Sequence, residues 1–298
     1  AQRSTPHHDV PFHEIPSLRE MEIGFANSKA GRAAGLDGVP ADIYKLQPRK
    51  FARLHHPLFM KATMYLVEPF AWKGGRMVEL YKGKGCFSVK NHFRGILASD
   101  SIGKHFHSAM RRRIMPAYER TARDTQFGGV KHKSTDMANQ LIRLAMTTAK
   151  ASSMCLGLVY VDAVAAFYVT LRQITIGVDC TDEAIANIVK TLGLPPAAMH
   201  GLAEQLARPH LLQQAGVDDH TQCVVQECFS STWFHTEGVA DIVHTRRGSR
   251  PGDPFGDVIF NFLMTSMLDQ AVITVRRAMI GMRVPWDECR DIVIRDSC

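Results

Sequence analysis

The amino-acid sequence predicts an α+β fold that is rich in helices. Apolar residues recur at helical spacing over long stretches, such as residues 51–67. Other segments alternate polar and apolar residues and run into glycine turns, which is the pattern of β-hairpins. The length of 298 residues and the 45% hydrophobic content are those of a globular chain with one large or two ordinary domains.

The first half of the chain alternates helical segments with one hairpin. A cluster of glycines and Pro40 breaks the helical pattern between residues 31 and 40. The glycines at 83 and 85 then provide the turn of the hairpin. We predict helices from about Ser17, over Asp42–Leu46, over 51–67 and over 99–114, and hairpin strands over 76–85 and 92–97.

The second half contains an almost wholly apolar run, residues 156–161, followed by Asp162. Such a run predicts a buried strand that delivers a carboxylate at its end. Residues 181–207 have a helical pattern, which Pro195 and Pro196 interrupt. Residues 233–238 and 241–245 are predicted to form a second hairpin.

Two aspartate positions are typical of helix starts. Asp253 is a plausible N-cap with Pro254 at the first helical position, and apolar residues at helical spacing follow. Asp218 and Asp219 form the one Asp-Asp pair of the sequence, and no apolar strand flanks them. We therefore interpret this pair as a turn or helix cap.

The charges are divided unevenly along the chain. Residues 1–150 hold 25 Lys and Arg against 12 Asp and Glu, whereas residues 151–298 hold 11 against 17. A basic half indicates a surface for a polyanion, and an acidic half offers carboxylates for metal binding or acid–base chemistry. An unevenly charged, solvated surface without a partner is the alternative.

Seven cysteines are scattered through the chain. Their odd number and wide spacing favour reduced thiols in an intracellular protein. The apolar stretch 154–169 is interrupted by Asp162, so we do not expect it to enter a membrane. Because the chain starts at Ala1 and stops at Cys298 without a tail-like composition, we expect a piece of a longer product.

Five segments, in this order, resemble the reverse transcriptase domain of non-LTR retrotransposons. The first, residues 35–45, is similar to the opening "G-x-D-G" segment of that family. Residues 72–85 with 91–104 resemble its fingers hairpin, and residues 126–135 its "Q-x-G-F-R-x-x-x-S-T" segment. Residues 160–168 resemble the first catalytic motif, "D-x-x-x-A-F", and residues 248–261 the nucleotide-positioning turn, "G-x-x-Q-G-D-P-L-S".

This resemblance implies the fingers and part of the palm of a right-hand polymerase, with an antiparallel palm sheet. It implies deoxynucleotidyl transfer directed by an RNA template onto a DNA primer, with two Mg²⁺ ions that bind carboxylate oxygens. Asp162 would be a catalytic residue and metal ligand. Phe167 would lie below the sugar of the incoming nucleotide and exclude a 2′-hydroxyl group; ordinary core packing is the alternative for its ring.

The other expected contacts are with the deoxynucleoside triphosphate and the nucleic-acid backbones. Lys82, Lys84 and Arg94 would clamp the triphosphate, although each is also typical of a solvated surface. Gly252 would allow close approach of the backbone to the nucleotide or template. Asp253 would belong to the same site or do no more than cap its helix. The basic half would bind template and primer in a salt-dependent manner.

The sequence departs from the family pattern at several positions. Pro251 replaces the usual Gln, Gly256 the usual Ser, and Gly95 the usual Pro. The second catalytic motif, an aromatic-x-Asp-Asp hairpin, is absent from the 46 residues that follow Gly252. We expect the chain to stop just before that motif, with residues 291–297 as its approach, and to extend a primer little or not at all by itself.

We divide the chain into a lead-in with one helix (1–34), a fingers-like region (35–150) and a partial palm (151–298). An inactive, RNA-binding remnant of such a domain is the alternative function, and a maturase or telomerase-like polymerase is a related one. The resemblance implies an intracellular, nuclear retroelement protein, although the sequence contains no visible targeting signal. Nothing in the sequence indicates an oligomeric state.

Overall fold

A computed structural model describes residues 10, 12–31, 33–130, 132–161, 166–178, 180–193 and 196–277. Helices dominate this part of the chain, and one small sheet accompanies them, so the predicted α+β class is confirmed. The helices are α1 (Leu18–Ala26), α2 (Asp42–Leu46), α3 (Pro48–Tyr65), α4 (Ser101–Thr121), α5 (Thr135–Ala151), α6 (Ala166–Val169), α7 (Arg172–Thr175), α8 (Asp182–Leu192), α9 (Pro196–Leu206), α10 (Leu211–Gln214), α11 (Asp219–Phe229) and α12 (Gly256–Arg277).

Local capping explains where several helices begin. The Ser17 hydroxyl accepts a hydrogen bond from the Glu20 backbone N–H at 3.2 Å, and the Glu20 carboxylate accepts from the Ser17 N–H at 2.8 Å, which is a capping box before α1. Asp218 caps α11 by accepting from the Thr221 N–H at 2.7 Å. The helix-cap interpretation of the Asp-Asp pair is therefore confirmed, as is the proline break between α8 and α9.

Four strands form a mixed sheet in the order β2-β1-β3-β4. β1 (Gly75–Tyr81) and β2 (Phe93–Ser99) pair antiparallel, and so do β3 (Thr232–Thr236) and β4 (Ile242–Thr245), which confirms both predicted hairpins. The hairpins join through β1 and β3, which run parallel. Within the predicted palm region the described strands, β3 and β4, are antiparallel, but the sheet as a whole is mixed because β3 also pairs with β1 of the first hairpin.

The core lies around α4, whose buried face packs against α1, α11 and α12. Phe106, Met110 and Ile114 follow each other at intervals of four along this face and are almost fully buried. Apolar residues from all three predicted regions, from Met21 to Phe262, belong to one cluster. Helices from all three predicted regions therefore share one hydrophobic core.

Two predictions, a strand before Asp162 and the start of the last helix, differ from the structure. Residues 154–161 form no strand, and Val159, Tyr160 and Val161 are 86%, 67% and 80% exposed. The predicted buried strand is wrong here, because a strand needs a hydrogen-bonded neighbour and none of the described strands pairs with it. The last helix begins at Gly256 rather than Pro254, since Asp253 and Phe255 first form a turn.

Helix α12 contains the one described segment, Gly256–Val275, that is long and apolar enough to cross a membrane by length and composition. Core helices of globular proteins meet the same criterion. The side chains of Val258, Ile259 and Phe262 on this helix are buried in the core just described.

Candidate functional site

The turn before α12, residues 248–253, is the meeting point of three segments that are far apart in sequence. The Gly248 N–H donates to the Thr170 carbonyl at 2.8 Å, and the Ser249 N–H donates to the Phe167 carbonyl at 2.7 Å. On its other side the turn accepts a hydrogen bond, from the Leu97 N–H to the Pro251 carbonyl at 2.9 Å. The turn is therefore joined both to the segment after Asp162 and to β2.

Because Gly252 has no side chain, the backbone of the turn can lie close to β2. Its φ angle is +99°, a backbone conformation that side chains disfavour. A Cβ atom on Gly252 would lie 2.7 Å from the Leu97 carbonyl oxygen and 3.2 Å from the Ile96 Cγ2 atom. Glycine is required here because both the backbone angle and the neighbouring strand exclude a side chain.

Substitution of Gly252 by alanine is expected to lower the free energy of unfolding by about 2–5 kcal/mol. The positive φ angle contributes about 1–2 kcal/mol, and the contact with the Leu97 carbonyl contributes about 1–3 kcal/mol. Gly238→Ala is the matched control, because Gly238 also has a positive φ of +81° but has no atom within 4 Å of its added Cβ. Chemical denaturation of both variants measures the difference; equal losses would contradict the close-approach argument.

Phe167 lies beside this turn and is 37% exposed. Its ring is 5.2 Å from the ring of Phe260 on α12, so the aromatic group rests on the helix with one side open. The next residue, Tyr168, donates a hydrogen bond from its hydroxyl to the Gly95 carbonyl of β2. Asp162, the predicted catalytic residue and metal ligand, lies outside the described residues.

The three predicted triphosphate ligands lie on the β1–β2 hairpin and are exposed. Arg94 is opposite Leu80 in the β1–β2 register, and Lys82 follows two residues later, so Arg94 and Lys82 extend from the same face. The Lys82 ammonium group donates to the Asn91 carbonyl at 2.7 Å. Lys84 lies in the turn between Gly83 and Gly85, both of which have positive φ angles.

Asp253 is buried, and both oxygens of its carboxylate interact with other groups of the protein. One oxygen accepts from the Phe255 N–H at 3.0 Å, and the other lies 2.7 Å from His107 Nδ1 and 3.3 Å from Arg250. Although burial alone would raise it, the pKa of Asp253 is held below its usual value by Arg250 and His107. These contacts favour the structural alternative for Asp253 over direct contact with a nucleotide.

Arg172 is a fully buried residue that sequence reasoning missed. Its guanidinium group donates to the carbonyls of Gly248, Phe229, Thr245 and Arg247 and to the hydroxyls of Thr232 and Thr245, at 2.7–3.3 Å. These hydrogen bonds attach the residues at the start of the turn to the end of α11 and to strands β3 and β4. No local pattern signals this role, because arginine is usually found at the surface.

Arg250, which is part of the turn, connects it to two other segments by hydrogen bonds. Its guanidinium group donates to the Cys228 carbonyl at 2.9 Å and to the Trp72 carbonyl at 2.8 Å. The guanidinium carbons of Arg172 and Arg250 lie 5.2 Å and 5.9 Å from the centre of the Phe229 ring. The two arginines thus share one aromatic support under the turn.

A third buried polar group connects the turn to α4. His107 lies between two carboxylates, with Nδ1 2.7 Å from Asp253 and Nε2 2.9 Å from Glu68. Burial alone would lower the pKa of His107, but Asp253 and Glu68 raise it well above its ordinary value. The network therefore links the turn 248–253, α4 and the segment that follows α3.

Of the sequence-predicted site residues, Phe167 and Gly252 lie in neighbouring segments. The other three, Lys82, Lys84 and Arg94, lie on the β1–β2 hairpin, away from the end that contacts Gly252. The arrangement can hold an anion at the hairpin and a flat or sugar-like group against Phe167. A scan against models of known protein families finds no match, and a search of curated proteins finds none either.

Proposed function

We propose that this chain comprises the fingers and part of the palm of a reverse transcriptase of the non-LTR type. One observation carries the proposal: the turn 248–253 is hydrogen-bonded both to Phe167 and to β2. A template-directed polymerase has to bring its nucleotide-positioning turn, its sugar-contacting residue and its triphosphate-binding hairpin to one place. Three sequence segments with those expected roles are joined here, the hairpin through Leu97 rather than through Lys82, Lys84 or Arg94.

The proposed chemistry is deoxynucleotidyl transfer with two Mg²⁺ ions. Asp162 is the carboxylate ligand supplied by this part of the chain, and a second carboxylate motif completes the metal site in the whole enzyme. When bound, the ions activate the primer 3′-hydroxyl and neutralise the triphosphate. Phe167 faces the sugar and selects deoxynucleotides, and its position five residues after Asp162 is compatible with this role.

The exposed apolar segment before Asp162 supports the proposal. Residues 159–161 present Val, Tyr and Val side chains to solvent, which is unusual for a globular chain. We propose that these side chains are covered in the whole enzyme by the segment that carries the second carboxylate motif.

The fingers hairpin is the proposed contact for the triphosphate. Lys82 and Arg94 extend from one face of the hairpin, and Lys84 lies at its tip. Arginine is suited to bidentate phosphate contact, and lysine adds a point charge. The 25 basic residues of the first half provide the wider surface for the RNA template and the DNA primer.

Replacement of the three hairpin cations by alanine is expected to weaken triphosphate binding by at least about 10-fold, because each charged hydrogen bond contributes roughly 1.5–3 kcal/mol. The measurement is fluorescence anisotropy of a labelled deoxynucleoside triphosphate with the chain on an RNA template and DNA primer. The variant combines Lys82→Ala, Lys84→Ala and Arg94→Ala.

The matched control removes the same charge from an exposed part of α3, through Arg49→Ala, Lys50→Ala and Arg53→Ala. This variant should bind the labelled nucleotide within about 2-fold of the unchanged chain, since screening weakens charges beyond about 10 Å. A similar loss in both variants would show general electrostatic attraction and would count against a triphosphate site on the hairpin.

A further inference from the structure

The cluster of Glu68, His107 and Cys228 has the composition of a transition-metal site. The side chains come from three distant segments: the loop after α3, the middle of α4 and the end of α11. All three residues are buried, and one ligand atom from each lies within 4.8 Å of the others. The proposed nucleotidyl transfer does not use any of them.

Two observations beyond proximity indicate a ligand. The Glu68 Oε1 atom is buried and has no hydrogen-bond partner among the described residues, which is costly for a carboxylate oxygen. His107 donates from Nδ1 to Asp253 at 2.7 Å and so directs Nε2 towards Glu68. A carboxylate behind a histidine in this way is typical of zinc sites, because it fixes the ring and its tautomer.

We propose that Glu68, His107 and Cys228 bind one zinc ion, with Asp253 as the carboxylate that orients His107. Thiolate, imidazole and carboxylate are the ligands that zinc accepts in proteins. Ligand atoms around a tetrahedral zinc lie about 3.3–3.8 Å apart, so side-chain shifts of about 1 Å suffice. A water molecule takes the fourth position.

The charges of such a site balance within the buried cluster. The zinc ion carries two positive charges, which the Cys228 thiolate and the Glu68 carboxylate neutralise, while Asp253 is paired with Arg250 at 3.3 Å. Binding displaces the protons from the Cys228 thiol and from Nε2 of His107 to the solvent. The ion would tie the loop after α3, α4 and α11 together beneath the positioning turn.

Cobalt(II) titration of the metal-stripped chain tests the proposal, because a tetrahedral cobalt–thiolate site has a characteristic absorption. We expect one cobalt ion per chain with a thiolate-to-cobalt charge-transfer band, and its displacement by zinc. Elemental analysis of the zinc-loaded chain after gel filtration gives the stoichiometry independently. A folded, unsubstituted chain that shows no such band would overturn the proposal.

Variants identify the ligands. Cys228→Ser should abolish the band, whereas Cys223→Ser, one turn earlier on the same helix and partly exposed, should retain it. Asp253→Asn should keep the band but weaken binding about 10–100-fold, as expected for the residue behind a ligand. A band that survives Cys228→Ser would assign the metal to another thiol and refute the site. Asp162→Ala should leave the band unchanged, which separates this site from the proposed Mg²⁺ centre.

Discussion

Substitution of Arg172 by methionine is expected to lower the free energy of unfolding by at least about 3 kcal/mol, because several buried acceptors lose their donor at once. Methionine fills a similar volume without donating hydrogen bonds. The carbonyls of Gly248, Phe229 and Arg247 would then be left without this partner inside the protein. Chemical denaturation followed by circular dichroism measures the change.

The matched control is Arg247→Met, since the Arg247 side chain is exposed and only its backbone carbonyl contacts Arg172. Its effect should stay within about 0.5 kcal/mol. Arg172→Lys should fall between the two, because one ammonium group offers three donors where the guanidinium makes six contacts. If Arg172→Met were as stable as Arg247→Met, the network would have no role in holding the turn.

The second large effect concerns catalysis. In a polypeptide that continues beyond Cys298 to include an Asp-Asp motif, Asp162→Ala is expected to abolish primer extension. The substitution would remove a proposed carboxylate ligand of the metal site, so extension should fall by at least about 1,000-fold, an amount equal to roughly 4 kcal/mol of barrier. RNA-template binding should remain within about 2-fold, because the proposed surface for the template is the basic first half, which the substitution leaves unchanged. Extension of an RNA-templated DNA primer with Mg²⁺ is the assay.

Asp219→Ala is the matched control for that experiment. Asp219 belongs to the one Asp-Asp pair in the 298 residues, and the structure places it in the first turn of α11. Extension should therefore continue after this substitution. Retained extension in Asp162→Ala would refute the catalytic assignment. A stop codon directly after Cys298 in the coding sequence would instead favour the inactive RNA-binding remnant.

The parts of the fold that sequence patterns predicted are those fixed by local interactions. The β1–β2 hairpin follows from alternation and two turn glycines, and the break between α8 and α9 follows from Pro195 and Pro196. The cap at Asp218 needs only the next three residues. Each of these features depends on neighbours in sequence, so one chain without relatives is enough to predict it.

The parts that were missed depend on distant contacts. Residues 156–161 are apolar, but apolar composition predicts a strand only where a neighbouring strand can pair with it. The parallel contact between β1 and β3 joins residues about 160 positions apart, such as Arg76 and His235. Arg172 and His107 are buried because their partners come from other segments, and residue type alone predicts the opposite.

The sequence indicated which segments would form the candidate site, but not the contacts that each side chain makes. The resemblance related residues 160–168 and 248–261 to one site, and the hydrogen bond between Ser249 and Phe167 agrees with that relation. It gave no sign that Asp253 would turn inwards to His107 and Arg250. An aspartate in a glycine-rich turn looks the same in sequence whether it faces a ligand or the core.

The two buried arginines beneath the turn 248–253 affect how this turn can open. Glycine-rich turns at binding sites commonly open by local fluctuations, because few buried contacts hold them. This turn is instead fixed by Arg172 and Arg250 to α11, whose apolar face belongs to the central core. Opening of the turn would require the end of α11 to separate from the core. We therefore expect the turn to open only when the core itself unfolds. Lys82 and Arg94, on the exposed part of the β1–β2 hairpin, are outside this support.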